Sequence, residues 1–209
     1  MGAYERIYMN LDFLEIGTCN FNTLIETASN ETVGISVEPL AHYLDQLPSP
    51  KNVIKVNCAI SFNDSESDIE IYFIPESIIK ENNLSSDLKG CNSIGHYHLK
   101  HKELNLEEYV CIEKIRQLPI SKLLENYNVK TIKHLKIDTE GGDTFILKNL
   151  YKYLKTKDSS YYPNKITFES NRLTDPKNVD KVIAIYQSIG YKKIKRNHDT
   201  ILVYKDNNS

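Results

Sequence analysis

Three acids and two glycines crowd the stretch Leu135-Lys-Ile-Asp-Thr-Glu-Gly-Gly-Asp143. An apolar run ends at Asp138, Glu140 follows, and the glycines free the backbone before a helix begins near Asp143. A strand disfavours an acid, so Asp138 at a strand tip points to chemistry. Asp143 reads as a helix cap, and Glu140 is either a working carboxylate or a solvated neighbour of that cap. Paired carboxylates at one strand tip suit a division of roles: one holds a ligand and the other receives a proton.

A second stretch, Phe13-Leu-Glu-Ile-Gly-Thr-Cys-Asn-Phe-Asn-Thr-Leu24, has the same logic. An apolar run ends in Glu15 and Gly17, and a polar turn leads into a helix start with unpaired N–H groups. The next apolar run, Ile35-Ser-Val, ends in Glu38. An acid roughly 20 residues past the glycine can accept hydrogen bonds from ribose hydroxyls. No G-x-G-x-x-G is present, and asparagines fill the turn. A diphosphate needs several glycines there, so a dehydrogenase is disfavoured. One glycine behind an acid suits an adenosyl ligand without phosphates, which points to S-adenosylmethionine.

Positioning these groups takes alternating strands and helices. The sequence predicts strands at 12–16, 33–37, 52–57, 69–74, 110–115, 134–138 and 165–169. It predicts helices at 22–29, from Pro39 through Gln46, at 121–127 with Ser121 as cap, at 143–154 capped by Asp143, and at 176–189 ended by Gly190. A closing hairpin, 191–196 with 200–204, surrounds Asn197-His-Asp199. Residues 75–107 lack periodicity beyond a short helix near 76–82 and read as an ordered loop, of a length usual for a lid or binding loop. This alternation implies an α/β fold with a mainly parallel sheet. If strand 12–16 lies beside strand 134–138, Gly17 and Asp138 face one crevice at the switch point of strand order.

Composition sets the bounds. A chain of 209 residues suits one domain, 1–209, with 75–107 as an insert. A net charge of −2 gives no general drive toward nucleic acid or anionic membrane. No apolar run spans a bilayer and no N-terminal segment reads as a signal peptide, so a soluble, cytoplasmic protein is expected. Cys19, Cys58, Cys91 and Cys111 are scattered, which fits reduced thiols.

The block Leu135-Lys-Ile-Asp-Thr-Glu-Gly141, with Asp143 and Ile146-Leu147, resembles the signature of the FkbM family of class I S-adenosylmethionine-dependent methyltransferases. The strand and Leu-rich helix at 110–124 and the strand Ile166-Thr-Phe-Glu169 are similar to its flanking blocks, and the resemblance runs from about 12 to 204. Many members carry a second glycine where this chain has Asn20-Phe-Asn22. The resemblance implies a Rossmann-like seven-stranded sheet, mostly parallel, with a reversed last strand in a C-terminal antiparallel hairpin. It implies a cofactor held by Glu15, Gly17, Thr18, Asn20 and Asn22, by Glu38 at the ribose, by Asn57, Cys58 and Ala59 at the adenine, and by Asp138 near the sulfonium and methionyl amine. It also implies O-methylation, with a sugar or glycan hydroxyl as the expected acceptor.

Candidates to receive the acceptor proton are Asp138, Glu140, Glu169, and the loop histidines His96 and His98, since imidazole titrates near neutrality. Carboxylates at Asp138, Glu140 and Glu169 would also suit Mg²⁺, a reading left open and not favoured. Cys91 with His96, His98 and His101 lacks regular zinc spacing. Lys192-Lys-Ile-Lys-Arg196 reads as a solvated hairpin face, with a nucleic-acid patch a poor second. An RNA methyltransferase is disfavoured by charge. A non-catalytic protein of the same fold, binding a partner through 75–107, is the rival from another class.

Overall fold

The computed structural model describes residues 7–205, so the ends of the expected 1–209 span lie outside the described residues. Seven strands make the main sheet: β1 (Met9–Ile16), β2 (Gly34–Val37), β3 (Val53–Val56), β8 (Val129–Ile137), β9 (Lys165–Glu169), β10 (Tyr191–Arg196) and β11 (Asp199–Tyr204). Their order is β10-β11-β9-β8-β1-β2-β3. The five strands from β3 to β9 run parallel, and β11 is antiparallel to both β9 and β10. The chain starts at the centre, winds outward to β3, then returns to β8 on the other side of β1. That reversal opens a crevice beyond the C-terminal tips of β1 and β8, as the two acid-bearing stretches require.

Period-two alternation assigns the faces of β1. Leu14 and Ile16 join Leu135, Ile137, Ile166 and Phe168 in the large core. That core is covered by α4 (Ile120–Asn126), α5 (Asp143–Leu154) and α6 (Pro176–Gln187), whose Leu123, Leu147, Leu150 and Val182 are buried in it. Phe13 faces the other way, packing with Ile25, Leu44 and Leu47 under α1 (Ala41–Gln46) and a single 3₁₀ turn, Ile25–Thr27. The helix expected at 22–29 is only that turn. Asp175 caps α6 by accepting from the Lys177 N–H (2.9 Å), with Pro176 at the first helical position.

The strands expected at 69–74 and 110–115 leave the parallel sheet. They are β5 (Ser67–Phe73) and β7 (Cys111–Leu118), antiparallel to each other in a second sheet ordered β4-β7-β5-β6, with β4 (Ala59–Ile60) and β6 (Ser93–Ile94) as edges. The insert is also more ordered than a loop. It holds α2 (Glu76–Glu81), β6 and α3 (Leu99–Glu103), and it buries Ile74, Ile79, Leu88, Cys91 and Leu106 together. Those apolar residues sit at irregular spacing, which is why periodicity does not reveal them. Two caps differ from expectation. α4 begins after Pro119, not at Ser121, and Gly142 precedes α5, because the Asp143 carboxylate is engaged elsewhere.

Candidate active site

β1 is followed by Gly17, at φ +81°, whose N–H donates to Val37 O (2.9 Å). A Cβ on Gly17 would stand 1.9 Å from the carbonyl oxygen of Asp138, so only glycine lets the tips of β1 and β8 meet. The turn that follows carries Cys19 and Asn22 at φ +46° and +55°. Asparagine tolerates this region, so Asn22 takes a left-handed backbone state that glycine usually fills.

Glu38, beyond β2, is buried and holds the turn. Its carboxylate accepts from the N–H groups of Cys19 (2.8 Å) and Leu40 (3.0 Å), and burial pushes its pKa up to about 7 against those bonds. Glu15 lies on the Phe13 face, fully buried, and accepts from Lys136 Nζ (2.8 Å) and the Leu24 N–H (2.8 Å). Lys136 also donates to Asn22 O (2.9 Å). Glu15 thus supports the turn from behind and does not line the cavity. Asn20 donates to Gln46 and Glu76, and Asn57 donates to the carbonyls of Glu38 (3.0 Å) and Pro39 (2.8 Å). Neither lines the cavity, because those bonds turn both amides away from it.

The cavity at the switch point, about 160 Å³, is walled by Gly17, Thr18, Cys19, Asn22, Glu38, Cys58, Ala59, Asn92, Lys136 and Asp138, among others. Thr18 Oγ1 and Asn92 Oδ1 are buried in its wall without a hydrogen-bond partner. Burial pushes the thiols of Cys19, Cys58 and Cys91 up to about 12, and all four cysteines are free. A second cavity, about 330 Å³, adjoins the first and shares Phe62, Ile94, Thr139 and Glu140 with it. Ser93, His96, His98, Leu99, Phe145 and Arg172 complete much of its wall. The rings of Phe62 and Phe145 stack with centroids 6.1 Å apart. A Cβ on Gly142 would lie 2.1 Å from the Phe62 ring, so the second glycine of the pair makes room for that ring.

Four carboxylates meet where the cavities join. Asp143 is fully buried and accepts from the Thr139 N–H (2.9 Å) and the Glu169 N–H (2.7 Å), which ties the turn after β8 to the tip of β9. Burial, opposed by those bonds, raises its pKa to about 6. Asp138 is pushed up to about 7, first by burial and then by the charges of Asp143 and Glu140. Glu169 is pushed up to about 9 by burial and by Glu140, Asp138 and Asp143. Glu169 Oε2 is buried without a partner. One oxygen each from Asp138, Glu140 and Glu169 lies within 4.8 Å of the others, a spacing at which they could hold a divalent cation. Among the described residues this is the group of potential ligands that converges; Cys91 and the loop histidines do not.

Glu140 sits at φ +53°, a left-handed state that costs a non-glycine residue about 1–2 kcal/mol. Its Oε2 lies 3.2 Å from Nε2 of His98, which is only 4% exposed. His98 caps α3 with Nδ1, which accepts from the Lys100 N–H (3.1 Å). His96 is exposed on the rim, its Nδ1 3.0 Å from Ser93 Oγ. His101 is fully buried against His98, and burial lowers its pKa to about 4. Sequence reasoning missed Phe62, Phe145, Asn92 and Arg172. The paired glycines Gly141 and Gly142 were the one local sign that something bulky approaches this turn.

A family model described as a methyltransferase FkbM domain matches residues 14–193. No curated protein and no solved structure gives a significant match. Among the described residues, no helix is long and apolar enough to cross a membrane.

Proposed function

This chain belongs to the FkbM methyltransferase family, and from that membership we propose an S-adenosylmethionine-dependent O-methyltransferase acting on a sugar or glycan hydroxyl. The observation that carries the reading is Glu140, which walls both cavities at their junction. The first cavity suits the cofactor and the second, bounded by the 75–107 insert, suits the acceptor, within a Rossmann-like class I domain.

The lining of the first cavity supports the cofactor assignment. The buried, unpartnered Thr18 Oγ1 and Asn92 Oδ1 offer hydrogen bonds to a polar ligand. Each Glu38 oxygen accepts one backbone N–H and keeps a lone pair for a ribose hydroxyl. Cys58 and Ala59 give an apolar wall for adenine. Asp138, among carboxylates that repel one another, gains from a nearby cation. S-adenosylmethionine supplies an electrophilic methyl group when bound. Gly17, Thr18, Asn22 and Asp138 orient its methionyl end, and Glu38 fixes the ribose.

In the second cavity the Phe62–Phe145 stack offers an apolar face for the C–H side of a ring. Ser93, His96 and Glu140 offer polar contacts for its hydroxyls. Holding the acceptor oxygen in near-attack geometry is the protein's main contribution, and a carboxylate at that oxygen removes its proton.

Calorimetry with S-adenosylmethionine, S-adenosylhomocysteine and NAD in parallel, followed by a labelled-methyl screen of glycosides and sugar nucleotides, tests this. Binding of NAD alone would sink the cofactor assignment. Label transferred only to nucleic acid or protein would sink the sugar assignment. Tight cofactor binding without turnover on any acceptor would favour a non-catalytic binding protein.

A further inference from the structure

We propose that His98 is a positioning residue locked as the Nε2–H tautomer, that it donates to Glu140, and that Glu140 alone receives the acceptor proton. This assignment rests on the O-methyltransferase reading for its catalytic half and on hydrogen-bond geometry for the tautomer.

The geometry leaves His98 little choice. Its Nδ1 faces the backbone N–H of Lys100 at 3.1 Å. An amide N–H only donates, so Nδ1 must present a lone pair. A neutral imidazole then carries its hydrogen on Nε2, which lies 3.2 Å from Glu140 Oε2 and donates to it. The alternative tautomer would set two N–H groups against each other at the start of α3. His98 is buried on a short helix whose first turn depends on that bond, so its ring is not free to rotate. Neutral His98 therefore has no lone pair directed at Glu140 or past it, and it cannot act as base through Nε2.

Glu140 is placed for that role. His98 occupies Oε2, and Oε1 makes no hydrogen bond among the described residues. The left-handed backbone at Glu140 and the glycine after it hold the carboxylate at the wall shared by both cavities. During transfer the acceptor oxygen forms its bond to the methyl carbon, and its proton passes to Glu140 Oε1. The electron pair of the broken carbon–sulfur bond stays on sulfur. One positive and one negative charge disappear together. His98 keeps its Nε2 hydrogen throughout and still donates to the neutral carboxyl. Water then takes the proton from Glu140.

The tautomer can be read without any acceptor or turnover. Long-range proton–nitrogen correlation spectra of the ¹⁵N-histidine-labelled protein, with His98 assigned by loss of its signals in His98→Gln, should show a protonated Nε2 and an unprotonated Nδ1. A protonated Nδ1 with a bare Nε2 overturns the assignment whatever the protein's activity. With an acceptor in hand, His98→Gln restores an N–H donor near the Nε2 position but cannot serve as a base. It should keep turnover within about 10-fold of the parent, whereas Glu140→Gln should lose about 10²–10⁴-fold in kcat with cofactor affinity retained. His98→Gln as inactive as Glu140→Gln, at unchanged melting temperature, would make His98 the base and overturn the proposal.

Discussion

Gly17 and Asp138 are in contact across the switch point: the glycine α-carbon faces the Asp138 carbonyl so closely that a methyl group would stand 1.9 Å from its oxygen. The Asp138 N–H donates to Ile16 O (2.9 Å), so the two strand tips are bonded as well as packed. Gly17→Ala should therefore lose about 2–5 kcal/mol, from left-handed strain plus overpacking. Denaturant unfolding measures this, and a loss below about 1 kcal/mol would show that the tips can separate cheaply.

Glu38→Ala removes two acceptors for backbone N–H groups and the expected ribose contact. S-adenosylhomocysteine affinity should fall by about 1–3 kcal/mol, measured by calorimetry, with a lower melting temperature for the unliganded chain. Undiminished affinity would place the ribose elsewhere.

Asp138 and Glu140 should separate in their effects. Asp138→Ala should lose cofactor binding and activity together, because it acts in the ground state. Glu140→Gln should keep binding and lose turnover by about 10²–10⁴-fold. Equal loss of binding in both variants would assign Glu140 to the cofactor.

The raised carboxylates predict a stability that falls with pH. The folded chain holds protons on Asp138 up to about 7 and on Glu169 up to about 9. The unfolded chain releases them in the ordinary carboxylate range. Over that window the folded state binds more protons at these two sites, so their contribution to stability is full below the ordinary range and is lost as pH rises through the two values. Above about pH 6.5 His101 and His134, which burial lowers to about 4, are neutral folded or unfolded. Melting temperatures of the unliganded protein should therefore drop between about pH 6.5 and about pH 8.5, and Glu169→Gln should flatten the slope. An unchanged slope in that variant would mean Glu169 ionises normally.

The insert is tied to the site by His98 to Glu140 and by Arg172, which meets Glu103 through two bonds of 2.9 Å. Backbone exchange across residues 92–103 should slow when S-adenosylhomocysteine and an acceptor are both bound. Protection identical with and without ligands would remove the insert from the acceptor site.

Much of the site was legible because its key residues end local patterns. Strand-tip acids, a lone glycine and a glycine pair are visible without long-range information, and they located Gly17, Glu38, Asp138 and Glu140 on the cavity wall. The parallel sheet and its terminal hairpin follow from the same periodicity, and the expected adjacency of strands 12–16 and 134–138 is the β1–β8 pairing. Tertiary structure alone decided the rest. Glu15 reads like Glu38 in sequence, yet strand alternation puts it on the Phe13 face beside Lys136, its partner in the neighbouring strand. β5 and β7 look like any other strands, and only their mutual pairing shows that they leave the parallel sheet. The contact of His98 with Glu140 spans 42 residues, and Phe62 meets Phe145 from separate elements. Local propensity carries no information about such meetings, because they depend on how the insert folds back over the strand tips once its own apolar cluster is buried.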